Sequence, residues 1–171
     1  MERQPKVEGF ISGYYSKTLE DILQSEKGWL HVSSPEETKA LAANFAAGLK
    51  PGDVAFIVGE LGAGKTTFVR GILESLGHIG PVRSPTFNLL QVFETDPPVL
   101  HADLYRLQSA RGIGIEDYLD SHVVLIEWPK NDPFLIPSHR IEIEFDDDGR
   151  RISILRANAE TGGTNNLVNP S

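Results

Sequence analysis

Short apolar runs bounded by turn residues recur along the middle of the chain, and each predicts a buried β-strand. The first, VAFIVG at residues 54–59, leads through a glycine-rich stretch into a helical pattern from about residue 65 to residue 76. The later runs are NLLQVFE, VLHAD, VVLIE, RIEIEF and RISILR. We predict a three-layer α/β sandwich whose mixed sheet is parallel at its centre and antiparallel toward a C-terminal hairpin around DDDGRR.

A helix with clear start signals precedes the first strand. Ser34 is a favoured N-cap, Pro35 suits the first turn, and Glu37 completes a Ser-x-x-Glu capping box. Apolar side chains then recur every four residues from Leu41 to Leu49. The pattern predicts an amphipathic helix that ends at the turn KPGD.

The 171 residues fit one domain of ordinary size, which we assign to residues 32–157. Residues 1–31 are interpreted as an accessory segment with a helical candidate at residues 16–26. Residues 158–171 form a polar tail rich in glycine and asparagine, which we expect to be disordered.

Composition excludes several functional classes. The chain has no cysteine and its five histidines lack metal-ligand spacing, which argues against disulfides, thiolate catalysis and a transition-metal site. A net charge of -8 is unfavourable for gripping nucleic acid directly, so we expect any RNA to be held by a partner. Apolar runs are too short for a membrane span and the N-terminus lacks a secretory signal, so we expect a cytoplasmic protein with no membrane partner.

The stretch GELGAGKT, Gly59–Thr66, matches the P-loop (Walker A) motif G-x-x-x-x-G-K-[ST] at every fixed position. Between a strand and a helix, such a loop holds a polyphosphate through main-chain N–H groups and the helix dipole. Lys65 would reach the β and γ phosphates, and the Thr66 hydroxyl would ligate Mg²⁺. A plain glycine-rich turn, the alternative, needs neither the lysine nor the hydroxyl. The expected nucleotide contacts are Glu60, Leu61, Gly62, Ala63, Gly64, Lys65, Thr66 and Thr67.

The run VVLIEWPK is expected to complete this P-loop NTPase-like site. Mg²⁺ prefers oxygen ligands, and a strand beside the first one would bring Glu127 to the sheet edge next to the P-loop. The alternative for Glu127 is an exposed acid at a strand end. Trp128 is interpreted either as an aromatic at the edge of the core or as a ring that contacts the nucleotide or a partner.

Two further stretches are candidates for catalytic roles. RSPTFN places Thr86 in a loop that is typical of switch segments, where a threonine senses the γ phosphate, or of a simple proline turn. Asp103 ends the strand run VLHAD, where it would orient water or hold a metal-bound water. Asp103 is also a favoured helix N-cap, because the following LYRL has a helical pattern.

Four motifs in series, GELGAGKTTFVRG, SPTFNLL, HADLYRL and LIEWPK, resemble the TsaE (YjeE) family from about residue 33 to residue 156. The resemblance implies a P-loop ATPase, weak alone, that binds ATP or ADP with Mg²⁺ and is needed for threonylcarbamoyladenosine at position 37 of tRNA. It implies action with the TsaD and TsaB pair, which performs the transfer and holds the tRNA.

By motif correspondence, the resemblance assigns roles to individual residues. Lys65, Thr86, Asp103 and Glu127 would be catalytic or switch positions, Thr66 and Glu127 would hold the metal, and Trp128 would handle nucleotide or partners. The chain departs from the family pattern at Lys130, where an acid usually follows the proline, and at Ala102, where an aromatic is frequent.

Other functional classes stay open at this point. A small P-loop kinase usually carries an arginine-bearing lid, for which Arg106 and Arg111 are the candidates. A GTPase would show Asn-Lys-x-Asp, which the sequence lacks. A nucleotide-locked scaffold that binds partners without turnover is the third alternative.

Overall fold

One mixed β-sheet forms the centre of the computed structural model, which describes residues 28–130 and 132–157. Its strands are β1 (Trp29–Val32), β2 (Val54–Val58), β3 (Leu90–Phe93), β4 (Val99–Asp103), β5 (Val123–Glu127), β6 (His139–Asp146) and β7 (Gly149–Arg156). Within the same residues, the helices are α1 (Pro35–Ala46), α2 (Lys65–Ser75) and a short 3-10 helix (Ile115–Tyr118).

The strand order β1-β7-β6-β2-β5-β4-β3 places the strand before the P-loop in the middle of the sheet. Strand β2 is parallel to both β6 and β5, and β4 is parallel to β5. The antiparallel pairs, β1 with β7, β6 with β7, and β3 with β4, lie toward the two edges. The predicted α/β class, with a parallel centre and a C-terminal antiparallel hairpin, is confirmed.

The two faces of the sheet are covered differently. Helices α1 and α2 lie on one face, where Phe68 and Ile72 of α2 are fully buried against apolar residues of the central strands. The other face is covered by the 3-10 helix and by connecting segments, with Leu104 and Ile115 fully buried there. A strand covered on both faces needs apolar residues at nearly every position, which explains the unbroken runs of β2 and β5. In the part of the chain that the structure describes, no helix is long and apolar enough to cross a membrane.

Helix α1 starts where the capping signal predicts, but one of the two capping hydrogen bonds involves a different residue. Ser34 is the N-cap, and its side chain accepts a hydrogen bond from the Glu37 main-chain N–H at 3.2 Å. The Glu37 carboxylate accepts from the Ser33 main-chain N–H at 2.7 Å rather than from that of Ser34. The reciprocal half of the capping box therefore begins one residue earlier than predicted.

Strand β1 was not predicted from the sequence. It pairs with β7 in a register that runs from Trp29 opposite Ser153 to Val32 opposite Arg150. The expected boundary between residues 31 and 32 thus falls inside a strand of the sheet. A run of four residues gives little local evidence for a strand, and its pairing partner lies more than a hundred residues later in the chain. The helical candidate at residues 16–26 and the tail at residues 158–171 lie outside the described residues.

The expectation of a helix at LYRL, with Asp103 as its N-cap, is wrong. Leu104 to Leu107 form turns, in which the Leu107 N–H donates to the Leu104 carbonyl at 3.0 Å. The Asp103 carboxylate accepts from the Tyr105 main-chain N–H at 2.9 Å, which is an Asx turn rather than a helix cap. The Leu104 N–H donates to the Glu127 carbonyl, so the chain continues along the sheet edge.

Close contact between α1 and α2 depends on Gly71. A Cβ atom at this position would lie 2.7 Å from the Lys39 Cα and 2.8 Å from the Ala42 Cβ, so one helix would have to shift. Overpacking of this kind costs about 1–3 kcal/mol, and here it involves backbone, which cannot rotate away. Alanine is more favourable than glycine inside a helix by roughly 1 kcal/mol. The cost of overpacking acts in the opposite direction and should be larger.

We therefore expect Gly71→Ala to lower the free energy of unfolding, measured by urea denaturation. Gly48→Ala is the matched control, because a Cβ there meets nothing closer than the Phe45 carbonyl oxygen at 3.9 Å. An unchanged or raised stability of Gly71→Ala would show that the helices separate at no cost.

Candidate functional site

A cavity of about 480 Å³ opens at the carboxyl ends of β2, β5 and β4, beside the N-terminus of α2. The sequence-predicted residues that line it are Leu61, Gly62, Gly64, Lys65, Thr66, Thr67, Thr86, Asp103, Glu127 and Trp128. Glu60 and Ala63 belong to the same loop without lining the cavity. Ligands of parallel sheets bind at this edge, so the position alone favours a binding site.

The loop from β2 to α2 owes its shape to glycines. Gly59 passes so close to β6 that a Cβ atom would overlap the Ile143 carbonyl oxygen. Gly62 and Gly64 have φ angles of 78° and 111°, which L side chains rarely adopt. Gly64 directly precedes the first residue of α2. The loop therefore wraps over the end of the helix, where unpaired N–H groups and the dipole favour an anion.

Lys65 is enclosed by the loop that precedes it. It is 5% exposed, and its Nζ donates to the carbonyls of Gly59 at 2.8 Å and Glu60 at 2.7 Å. Burial lowers the pKa of Lys65, and the negative charges of Glu127 and Asp103 partly oppose that shift. Lys65 Nζ thus lies between the loop carbonyls and two acidic strand ends.

Thr66 and Glu127 meet as the sequence predicts. The Thr66 hydroxyl donates to Glu127 Oε1 at 2.9 Å, and Oε2 lies 3.3 Å from the same hydroxyl. Parallel pairing brings Glu127 opposite Ile57 on β2, two residues before the loop begins. Glu127 is 2% exposed, so this is a buried acid with assigned partners rather than an exposed strand end.

The switch candidates form a second cluster on the neighbouring strand. Asp103 is opposite Glu127 in the parallel register and is 4% exposed. Its Oδ2 accepts hydrogen bonds from the hydroxyls of Ser84 and of Thr86, the latter at 3.2 Å. The two hydroxyls are also 3.2 Å apart. The loop that carries Thr86 is therefore tied to the end of β4, beside the cavity.

Trp128 lies on the cavity side, with its ring centroid 4.1 Å from Lys65 Nζ and 4.9 Å from the Tyr105 ring. Its φ angle is 55°, a left-handed conformation that costs a bulky residue about 1–3 kcal/mol. Strain of this kind is concentrated at functional sites. The geometry favours a ring that covers the lysine over one that only seals the core.

Sequence reasoning missed Arg150, Tyr105 and His101, and it considered Arg106 only as a candidate lid arginine. Arg150 on β7 donates to the P-loop carbonyls of Ala63 at 3.0 Å and Gly62 at 3.4 Å. No local signal reveals this contact, because it joins residues 87 positions apart. Tyr105 and Arg106 line the cavity from the turn where a helix was expected. His101 was detectable in principle, since it lies two residues before Asp103 and therefore shares its face of β4.

The match to known families agrees with this geometry. A family model described as "Threonylcarbamoyl adenosine biosynthesis protein TsaE" matches residues 32–153. The chain belongs to the TsaE family. This family takes part in threonylcarbamoyladenosine biosynthesis, as its description states.

Individual TsaE relatives match over most of their length. A "tRNA threonylcarbamoyladenosine biosynthesis protein TsaE" of Rickettsia bellii is 42% identical over 131 residues, covering 72% of this chain and 91% of the relative. The protein of the same description from Bacillus subtilis is 40% identical over 131 residues, covering 73% and 82%. The crystal structure of YdiB from Bacillus subtilis superimposes with a TM-score of 0.62 at 35% identity, covering 75% of this chain and 84% of that one.

The two departures from the TsaE pattern lie away from the cavity. Lys130 is half-buried and is not among the described residues that line it. Ala102 is fully buried in the cluster on the second face of the sheet, opposite Ile126. Neither substitution alters the contacts of Asp103 or Glu127 described above.

Trp128 should report on ligand binding through its fluorescence. A phosphate chain bound by Lys65 changes the charge within about 4–6 Å of the Trp128 ring, so its emission should change when ATP and Mg²⁺ are added. The chain has two tryptophans, and Trp29 lies on β1 at one edge of the sheet. Trp29→Phe should keep the response and Trp128→Phe should lose it. A response that survives Trp128→Phe would contradict this placement.

Proposed function

We propose that this protein is the ATP-hydrolysing component of the system that makes threonylcarbamoyladenosine at position 37 of tRNA. It acts with TsaD and TsaB and supports repeated turnover of that pair. Family membership supports the pathway. The observation that carries the ATPase assignment is the 2.9 Å contact between Thr66 and Glu127 at the mouth of a complete P-loop.

The donor set fits Mg²⁺. Thr66 and Glu127 offer hard oxygen atoms, which this ion prefers. The two groups are 2.9 Å apart and both line the cavity, so they would hold one ion together. Among the described residues no cluster of three or more His, Cys, Asp or Glu side chains could hold a metal alone. The remaining ligands would therefore be phosphate oxygens and water, as is common for Mg²⁺ bound with nucleotides.

Each residue of the cavity has a defined task in this proposal. The N–H groups of the P-loop and of the first turn of α2 hold the phosphate chain, and Lys65 neutralises its β and γ phosphates. Mg²⁺, held by Thr66 and Glu127, would withdraw charge from the transferring phosphoryl group. Asp103 orients the attacking water or holds one bound to the metal, and Thr86 senses the γ phosphate from its loop. Trp128 and Tyr105 cover one side of the cavity and limit access of bulk water.

The net charge of the protein suits a system in which its partners hold the tRNA. The net charge of -8 does not favour direct tRNA binding, which normally needs a positive surface. In this proposal tRNA is held by TsaD and TsaB, and hydrolysis by this protein resets the pair between turnovers. A phosphoryl-transfer role for a metabolite would need an arginine-bearing lid. Among the described residues that line the cavity, Arg106 is the one arginine, and it lies over the Phe87 ring at 4.8 Å.

Two variants separate nucleotide binding from turnover. Lys65→Ala removes two or more charge-assisted hydrogen bonds to phosphate, each contributing about 1.5–3 kcal/mol, so calorimetry should show ADP affinity falling by at least about 100-fold. Glu127→Gln keeps an acceptor for Thr66 but loses the charge that binds Mg²⁺. We expect it to bind ADP and to release phosphate from ATP at least about 100-fold more slowly.

The control for the second variant is Glu144→Gln, which removes a carboxylate that pairs with Arg151 on the exposed side of the hairpin. Phosphate release by Glu144→Gln should match that of the parent protein. If Glu127→Gln hydrolysed ATP at the parent rate with TsaD and TsaB supplied, the metal assignment would be wrong.

A tRNA modification assay tests the complete proposal. With TsaD, TsaB, tRNA and the threonylcarbamoyl donor present, adding this protein with ATP should yield several modified tRNAs per TsaD–TsaB pair. Lys65→Ala should not raise the yield above one per pair. Steady phosphate release in the same reaction would exclude a nucleotide-locked scaffold. Phosphorylation of an added metabolite or nucleoside in place of this release would instead indicate a kinase.

A further inference from the structure

We propose that His101 is a positioning residue that orients the Glu127 carboxylate for metal binding. The inference rests on the proposed function, because it concerns the same Mg²⁺ site. His101 is completely buried, and its Nε2 lies 2.9 Å from Glu127 Oε1. His101 does not itself line the cavity, so its effect on the site passes through Glu127.

The sheet brings His101 to the side of Glu127 that faces away from the cavity. His101 is opposite Leu125 in the parallel pairing of β4 and β5, two residues before Glu127. Both side chains lie on the face covered by α2, because residues two apart on a strand share a face and Leu125 packs with Phe68 in the same core cluster. The imidazole therefore supports the carboxylate from within the core, and Thr66 contacts it from α2.

The hydrogen bond fixes the direction of the carboxylate. Glu127 Oε1 accepts from both His101 Nε2 and the Thr66 hydroxyl at 2.9 Å, whereas Oε2 lies 3.3 Å from that hydroxyl. A carboxylate can accept a bond from His101 only if Nε2 carries the proton. With Oε1 held from two sides, rotation of the carboxylate is restricted and one oxygen keeps its place toward the cavity.

The other ring nitrogen shows that the core does not need a histidine here. Among the described residues, Nδ1 of His101 has no hydrogen-bond partner, although it is buried. A buried polar atom without a partner destabilises the fold, so an apolar side chain would suit a purely structural position better. Partners that hydrogen-bond a metal-binding carboxylate commonly change metal affinity by about 10–100-fold when removed. The presence of the unpaired Nδ1 is explained if the function of the histidine is the hydrogen bond from its Nε2 to Glu127.

The test measures metal binding directly rather than hydrolysis. The probe is Mn²⁺, and its Kd for the protein–ADP complex is measured by electron paramagnetic resonance. His101→Phe keeps the ring volume and removes the donor, so Mn²⁺ affinity should fall by about 10–100-fold, with the metal-free ADP affinity unchanged. His101→Gln places an amide N–H near the position of Nε2 and should restore most of the loss.

Val99→Ala is the control for damage to the core. Val99 is fully buried two residues before His101 on the same strand face, and its truncation should lower thermal stability without changing Mn²⁺ affinity. Should His101→Phe not fold, His101→Asn is the second variant without the bond, because its amide ends short of Glu127, and the same loss of Mn²⁺ affinity is expected.

Three outcomes would overturn the inference. The first is a Mn²⁺ affinity in His101→Phe or His101→Asn that equals that of the parent protein. The second is an equal loss of Mn²⁺ affinity in His101→Gln and His101→Phe. A matching fall in metal-free ADP affinity, which would indicate a general structural role, is the third. If the parent protein bound no ADP, the proposed function would fail, and this inference with it. If the parent protein bound ADP but its Mn²⁺ affinity did not depend on His101, only this inference would be overturned.

Discussion

The hydrogen bond from Thr66 to Glu127 joins the first turn of α2 to the end of β5, 61 residues later in the chain. Two constraints make this contact possible. Parallel pairing with β2 fixes the level of Glu127 on the sheet, and Gly59 lets the loop turn over β6 without a side chain in the way. The position of the helix relative to the sheet, and the shape of the cavity between them, depend on both.

The same arrangement determines which charged side chains surround the cavity. Glu127 and Asp103 are both nearly inaccessible, and the enclosed cation nearest to them is Lys65. A polyphosphate that enters meets two acidic groups, Glu127 and Asp103, as well as two basic ones, Lys65 and Arg106, so its own charge is poorly compensated by side chains. A divalent cation that enters with the polyphosphate supplies the missing positive charge. On the proposed function, nucleotide and metal therefore bind as a pair, and each strengthens the binding of the other.

The sequence predicted the features that depend on local chemistry. The P-loop is contiguous, and the apolar runs of β2 and β5 reveal strands buried on both faces, so the meeting of Lys65, Thr66 and Glu127 could be inferred. Contacts that join distant segments carried no such signal. Arg150 supports the P-loop from a hairpin whose position depends on the pairing of β6 with β2. The supposed helix after Asp103 failed because the Leu104 N–H bonds to the Glu127 carbonyl and the turn is set by the neighbouring strand.

Strand β1 has a consequence for where the folding unit ends. It covers β7 from Arg150 to Ser153, while the match to the family model spans residues 32–153. A chain trimmed to those limits would lose Trp29 to His31 and the last three residues of β7, leaving part of the hairpin with unpaired main-chain groups. Exposed edges of this kind pair readily with other chains. Strand β1, which lines no part of the cavity, therefore makes the edge of the sheet a four-residue strand in place of the longer β7.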